Sequence, residues 1–165
     1  MSQPNPSVDE HLKALSSPDP VARAKGRKEL VRIGEPAVAA LVELLKHPQQ
    51  HVRWEACKTL EGIAHPSAAG PLADTLADSD KDVCWVAGEA LIALRRDGLE
   101  PLLVALMDKD RVPSLQPGSH HVAHELVKGE LAEILGPLLV ALSGPDVDLT
   151  VPVAAEKILQ QLRSA

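Results

Sequence analysis

The sequence predicts an all-α fold, a right-handed α-α superhelix of about five helical hairpins stacked as a solenoid, and three observations carry that prediction. Turn residues Asp19, Gln49, Asp80, Asp110 and Asp146 recur at intervals of 30, 31, 30 and 36. A period of this size marks units that must stack, because none can bury its apolar face alone. Segments beginning at Leu41, Leu72, Leu102 and Leu138 align leucine on leucine ahead of those turns. The apolar content, 45% of 165 residues, comes almost wholly from Leu, Ala, Val and Ile, with two Trp and no Phe or Tyr; that mixture suits helix stacking better than a sheet. A chain of this length can bury a real core, and the array reads as one domain over residues 1–165.

The first hairpin is expected over residues 8–34: a short helix to Leu15, a turn from Ser16 to Pro20, and a second helix ending at Ile33 and Gly34. Its brevity fits a terminal unit. The second covers 35–64, with Pro36 in a first turn, where the amide it lacks has no partner to lose. Leu41, Leu44 and Leu45 mark its buried stripe, and the returning helix runs from Val52 to Ala64. The third, 65–98, is the most regular, with Asp80 as N-cap of a helix from Val83 to Arg96 and Gly98 as its stop. The fourth, 99–129, departs after Asp110, where Pro113, Pro117 and Gly118 obscure the start of its second helix. The fifth, 130–163, pairs the segment from Gly136 to Asp146 with a helix from Val151 to Leu162 and frays at its end.

The second helices carry a finer signature. Val52-Arg53-Trp54-Glu55-Ala56-Cys57-Lys58-Thr59-Leu60 and Val83-Cys84-Trp85-Val86-Ala87-Gly88-Glu89-Ala90-Leu91 each follow a leucine-rich helix, and the L-x-D-x-D turn recurs between such helices; Ala22-Arg23 and Val151-Pro152 fill the Val-Arg slot in the first and fifth units. In this the chain resembles the HEAT repeat, in the short form called PBS-lyase HEAT-like, over nearly its whole length. The resemblance implies the solenoid directly and function only loosely, because that family includes scaffolds, adaptors, chromophore-attachment proteins and a few metalloenzymes. It also implies that the second helices line the concave side.

With the valine of each second helix as position zero, residues at +4, +8 and +11 share the apolar stripe and those at +2, +6, +9 and +13 point away. The outward row is Trp54, Lys58 and Glu61, then Trp85, Glu89, Ile92 and Arg96, then His121, His124 and Lys128 if Leu115 holds position zero. Trp54 and Trp85 sit 31 residues apart in matching places and are expected to be near neighbours. Such rings either complete interhelix packing or anchor a partner; the second reading is preferred, with the charges around them as a polar rim. Trp54, Lys58, Glu61, Trp85, Glu89, Ile92, Arg96, His121 and His124 are therefore the candidate partner-binding residues.

A second cluster, His120, His121, His124 and Glu125, has the spacing to bring two ligands to one side of a helix, and these four are the metal-ligand candidates. Deoxyhypusine hydroxylase, a HEAT-like enzyme, holds iron with His-Glu pairs at corresponding points. Here those slots read Val52-Arg53-Trp54-Glu55 and Val83-Cys84-Trp85-Val86, and only His124-Glu125 remains, in another register. The preferred reading is that these histidines bond backbone exposed around Pro113 to Gly118.

Several classes are set aside. A net charge of −6 opposes phosphate-backbone binding. No apolar run approaches a membrane span, and MSQPNPSVDE does not read as a leader. Cys57 and Cys84 lack CxxC spacing and suit a reducing compartment. There is no phosphate loop or G-x-S-x-G, and Asp78, Asp80, Asp108 and Asp110 recur with the period, as helix caps do. The sequence thus points to a non-catalytic module, without cofactor, that binds a protein segment in its groove, as a cytoplasmic monomer or homodimer. The opposing reading is a metal-dependent enzyme or chromophore lyase-like protein using the His120–His124 cluster.

Overall fold

A computed structural model of the chain describes residues 6–129 and 131–164, within which there are ten α-helices and no strand. Glu130, the expected first residue of the fifth unit, lies outside the described residues. The helices are α1 (Pro6–Ala14), α2 (Pro20–Ile33), α3 (Val38–Leu44), α4 (Gln50–Ile63), α5 (Ala69–Thr75), α6 (Lys81–Leu94), α7 (Arg96–Leu106), α8 (Val112–Leu126), α9 (Ala132–Ser143) and α10 (Val147–Ser164). Single 3-10 turns, Glu35–Ala37 and Pro66–Ala68, lead into α3 and α5.

The longer helices α2, α4, α6 and α8 stack in series as one row, and α5 and α7 lie side by side in the other. This is the solenoid that the period predicts. Leu30, Leu41, Leu60, Leu72, Leu91 and Leu103 from both rows are wholly or almost wholly buried in one continuous core, each contributing roughly 1.5–3 kcal/mol by leaving water.

Local chemistry sets the helix ends. Asp19 accepts the Val21 amide to start α2, and Asp80 accepts those of Asp82 and Val83 to start α6. Gln49 makes no side-chain cap at α4; His47 Nδ1 accepts the Gln49 amide instead. Asp110 does not cap α8, which begins at Val112 after Arg111. Pro113 falls in the first turn of that helix, where an amide is not needed, and the helix continues through Pro117 in its interior. The reversals after α2, α4 and α6 fall at Gly34, Ala64 and Arg95, with φ of 75°, 51° and 52°. Only the first is a glycine, the residue that adopts this conformation at no steric cost. The chain therefore turns at Arg95, three residues before Gly98, which lies in the first turn of α7. The last pair is set differently from the others: α9 runs along α8, while α10 packs back on α7 and α8.

Neighbouring units are also joined by arginine. Arg53 donates to the carbonyls of His47 and Pro48 in its own turn and, through Nε and Nη2, to both carboxylate oxygens of Asp78 in the next, at 2.7 and 2.9 Å. Arg23, 30 residues earlier, likewise donates to the Ser17 and Pro18 carbonyls of its own turn, and its Nε donates to one carboxylate oxygen of Glu55 on α4. Cys84 holds the third such place, and its thiol donates to the turn carbonyl of Leu76.

Burial pushes the Asp78 pKa up, but the Arg53 hydrogen bonds, the Asp80 amide and the Arg53 charge outweigh it and hold the carboxyl below its ordinary value of 3.8. A carboxylate lowered on folding adds stability that is complete above its unfolded pKa and is lost as pH falls through the folded one. Arg53→Met is expected to cost about 1–2 kcal/mol at neutral pH and to flatten the loss of stability below pH 3.8. Urea unfolding across an acid series reads both effects. An acid limb as steep as that of the wild type would assign it to a different carboxylate.

Candidate functional site

The site is centred on the outward face of α6, where it meets α8. Trp85 and Glu89 are one turn apart on α6 and so share a face. His121 of α8 reaches back to both of them. Its ring stacks on the Trp85 ring with centroids 4.0 Å apart and planes 25° from parallel, and its Nε2–H donates to Oε1 of Glu89 at 2.7 Å. Gly88 lies beside the His121 ring, with room for ordinary van der Waals contact between α6 and α8. Trp85 remains 57% exposed although one face of its indole is covered. The result is a large aromatic surface, oriented by an imidazole that a carboxylate holds in place.

Trp54 occupies the matching position on α4 but a different environment. It is partly buried against the core, and the Arg27 guanidinium of α2 lies 5.7 Å from its ring centroid. The two tryptophans thus take different partners, Arg27 from the preceding helix of the row and His121 from the following one. Glu55, next in the chain, is buried and accepts from Arg23 Nε at 3.1 Å and from Arg27 Nη1. Lys58 and Glu61 pair with each other at 2.7 Å. Ile92 is half-buried and packs on the core.

Arg96 leaves the row. Because the chain reverses at Arg95, Arg96 opens α7 and lines a cleft of about 630 Å³ with Asp74, Asp97, Glu100 and Arg111, between α5 and α7. Arg111 is tied to Asp74 there, and Glu100 to Arg163 of α10. The outward row is therefore α4, α6 and α8 without its expected +13 member on α6.

The histidines diverge. His121 turns toward α6, while His120 Nε2 meets Ser143 Oγ of α9 at 3.1 Å and His124 Nδ1 meets Glu125 at 3.2 Å. His120 and His124 stack loosely, 6.4 Å between ring centroids. Glu125 is held below the ordinary carboxylate range by Lys128 first and by His124. Among the described residues no three His, Cys, Asp or Glu side chains come together in a way that could hold a metal ion. Neither thiol is activated: burial pushes Cys57 up to about 12 and also raises Cys84.

The inter-unit bonds made by Arg23, Arg27 and Arg53 were not foreseen from the sequence, although Arg23 and Arg53 recur at the repeat and Asp78 lies two residues before a cap. No described helix is long and apolar enough to cross a membrane.

A family model described as HEAT repeats matches residues 8–92, just over half of the chain. No curated protein matches it. Among solved structures, an engineered protein studied by the Northeast Structural Genomics Consortium is 22% identical, with 95% of this chain and 79% of that one covered at a TM-score of 0.43. A second engineered protein from the same consortium is 20% identical, with 96% and 81% covered at a TM-score of 0.46.

Proposed function

This chain belongs to the HEAT-repeat family, and we propose that it works as a non-catalytic interaction module, one repeat domain that takes a protein segment along the α4–α6–α8 face. The observation that carries this reading is Trp85, an indole 57% exposed and already fixed by His121 and Glu89. A ring held in one orientation before binding loses little freedom when a partner covers it, and exposed Trp is the side chain most enriched where truncation costs binding energy. Glu89 supplies a polar group beside it through His121, and the paired Lys58 and Glu61 and the half-buried Ile92 and Trp54 belong to the same outward row of α4 and α6. A net charge of −6 favours a protein segment over a nucleic acid.

The test is capture from native lysate by wild type and by Trp85→Ala, followed by affinity measurement on the partner identified. Trp85→Ala is expected to weaken binding by about 2 kcal/mol, roughly thirtyfold, with helicity unchanged by circular dichroism. His121→Ala, which removes only the support behind the ring, should cost less. A partner held equally by all three proteins would exclude this face.

A further inference from the structure

We propose that the exposed face of α10, beside its groove with α9, is the interface of a symmetric dimer, packed against the same face of a second copy of this chain. The groove has a volume of about 510 Å³ and is lined only by residues of α9, α10 and their connection, among them Val140, Gly144, Leu149, Val153 and Lys157. Val140, Leu149 and Val153 are 75%, 65% and 50% exposed, so three of the seven exposed large hydrophobic residues among those described meet in this one place. Apolar side chains scattered singly are ordinary on a protein surface, whereas a contiguous group marks a contact.

Charge identifies the occupant. The buried face of α10 is Val151, Ala155, Ile158 and Leu159. On the opposite face lie Leu149, Thr150, Val153 and Lys157, with Asp146 in the connection just before α10, a stripe whose middle is bounded by an acid at one end and a base at the other. The two charges stand about 16 Å apart along the axis, and the ion pairs among the described residues use neither. An isologous interface requires a surface complementary to itself. If two α10 helices pack antiparallel about a two-fold axis between Val151 and Pro152, Asp146 meets the partner subunit's Lys157, and Lys157 meets the partner subunit's Asp146. Leu149, Thr150 and Val153 then close the centre, and Val140 covers its flank. Small residues at Gly144 and Ala154 let the helices approach at the usual packing distance. None of these residues belongs to α4, α6 or α8, so such a dimer carries two copies of the Trp85 face.

Sedimentation velocity over a wide concentration series tests this. Wild type is expected to move from one chain mass to twice that mass and no further. Asp146→Lys alone and Lys157→Asp alone each put like charges at both contacts, and each should remain monomeric with native helicity. Mixed in equal amounts, these two variants again have opposite charges at both contacts and should recover the doubled mass, which no head-to-tail contact or general loss of folding reproduces. Val153→Glu should be monomeric in every mixture. The proposal is overturned by a wild type that stays monomeric throughout, by oligomers growing beyond two chains, or by a mixture of the charge variants that fails to dimerise.

Discussion

Glu55→Ala is expected to destabilise the protein by about 2–3 kcal/mol, read as a lowered denaturant midpoint with an unchanged slope. Glu55 is 5% exposed and lies between α2 and α4, taking hydrogen bonds from both Arg23 and Arg27. Removing it leaves two guanidinium groups facing each other in a partly desolvated place, which is worse than losing one attraction. A wholly buried pair broken in this way costs about 3–5 kcal/mol. The arginine side chains keep 22% and 28% exposure and can recover some water, which places the value below that range. Adding Arg27→Met to the Glu55→Ala variant should restore part of the stability by taking away one stranded charge. If the double variant is instead less stable by the sum of the single effects, the two side chains act independently and the pairing contributes nothing.

Gly98→Ala sets two physical effects against each other. Helix propensity alone favours alanine by up to about 1 kcal/mol. The fold opposes it, because a Cβ at Gly98 would lie 2.6 Å from the Leu91 carbonyl oxygen and 3.2 Å from the Leu94 Cβ. The nearest obstacle is backbone at the end of α6 and cannot swing aside, so overpacking of about 3 kcal/mol outweighs propensity and the net expected loss is about 2 kcal/mol. Thermal unfolding monitored by circular dichroism measures it. A melting temperature at or above that of the wild type would mean that α7 shifts away from α6 at little cost.

Gly98 also shows why the sequence misplaces the end of the third unit. A glycine just beyond an apolar helical pattern is the usual stop signal, and Arg95 carries no mark of a left-handed residue. The structure turns at Arg95 and uses Gly98 for close packing. Arg96, placed in the partner-facing row by counting along an uninterrupted helix, consequently falls in the cleft between α5 and α7. The error follows from reading a conformation locally when a tertiary contact chooses it.

The candidate face was legible in part. Counting from Val83 and from Leu115 put Trp85, Glu89 and His121 on outward positions, and those three do meet. Equal register put Trp54 and Trp85 at matching places on adjacent helices, but it did not state what each ring would touch: Arg27 lies over Trp54, and His121 stacks on Trp85. The histidine cluster was legible as composition alone. Its spacing allowed convergence, whereas the positions of α6 and α9 on either side of α8 separate His121 from His120.

The sequence by itself determined that this protein is a stack of helical hairpins, roughly where its helices lie, and that leucines such as Leu41 and Leu45 are buried while Leu44, expected with them, is only partly so. Those properties depend on interactions within a turn or two of helix, namely apolar periodicity, which the period of about 30 residues repeats, and the aspartate caps at Asp19 and Asp80. Tertiary structure alone decided that Arg23 and Arg53 bridge to Glu55 and Asp78, that α10 folds back on α7 and α8, and that a groove forms between it and α9. Each of these depends on how backbones far apart in the chain are placed against one another, and an apolar stripe states only that a helix must be covered, not which neighbour covers it.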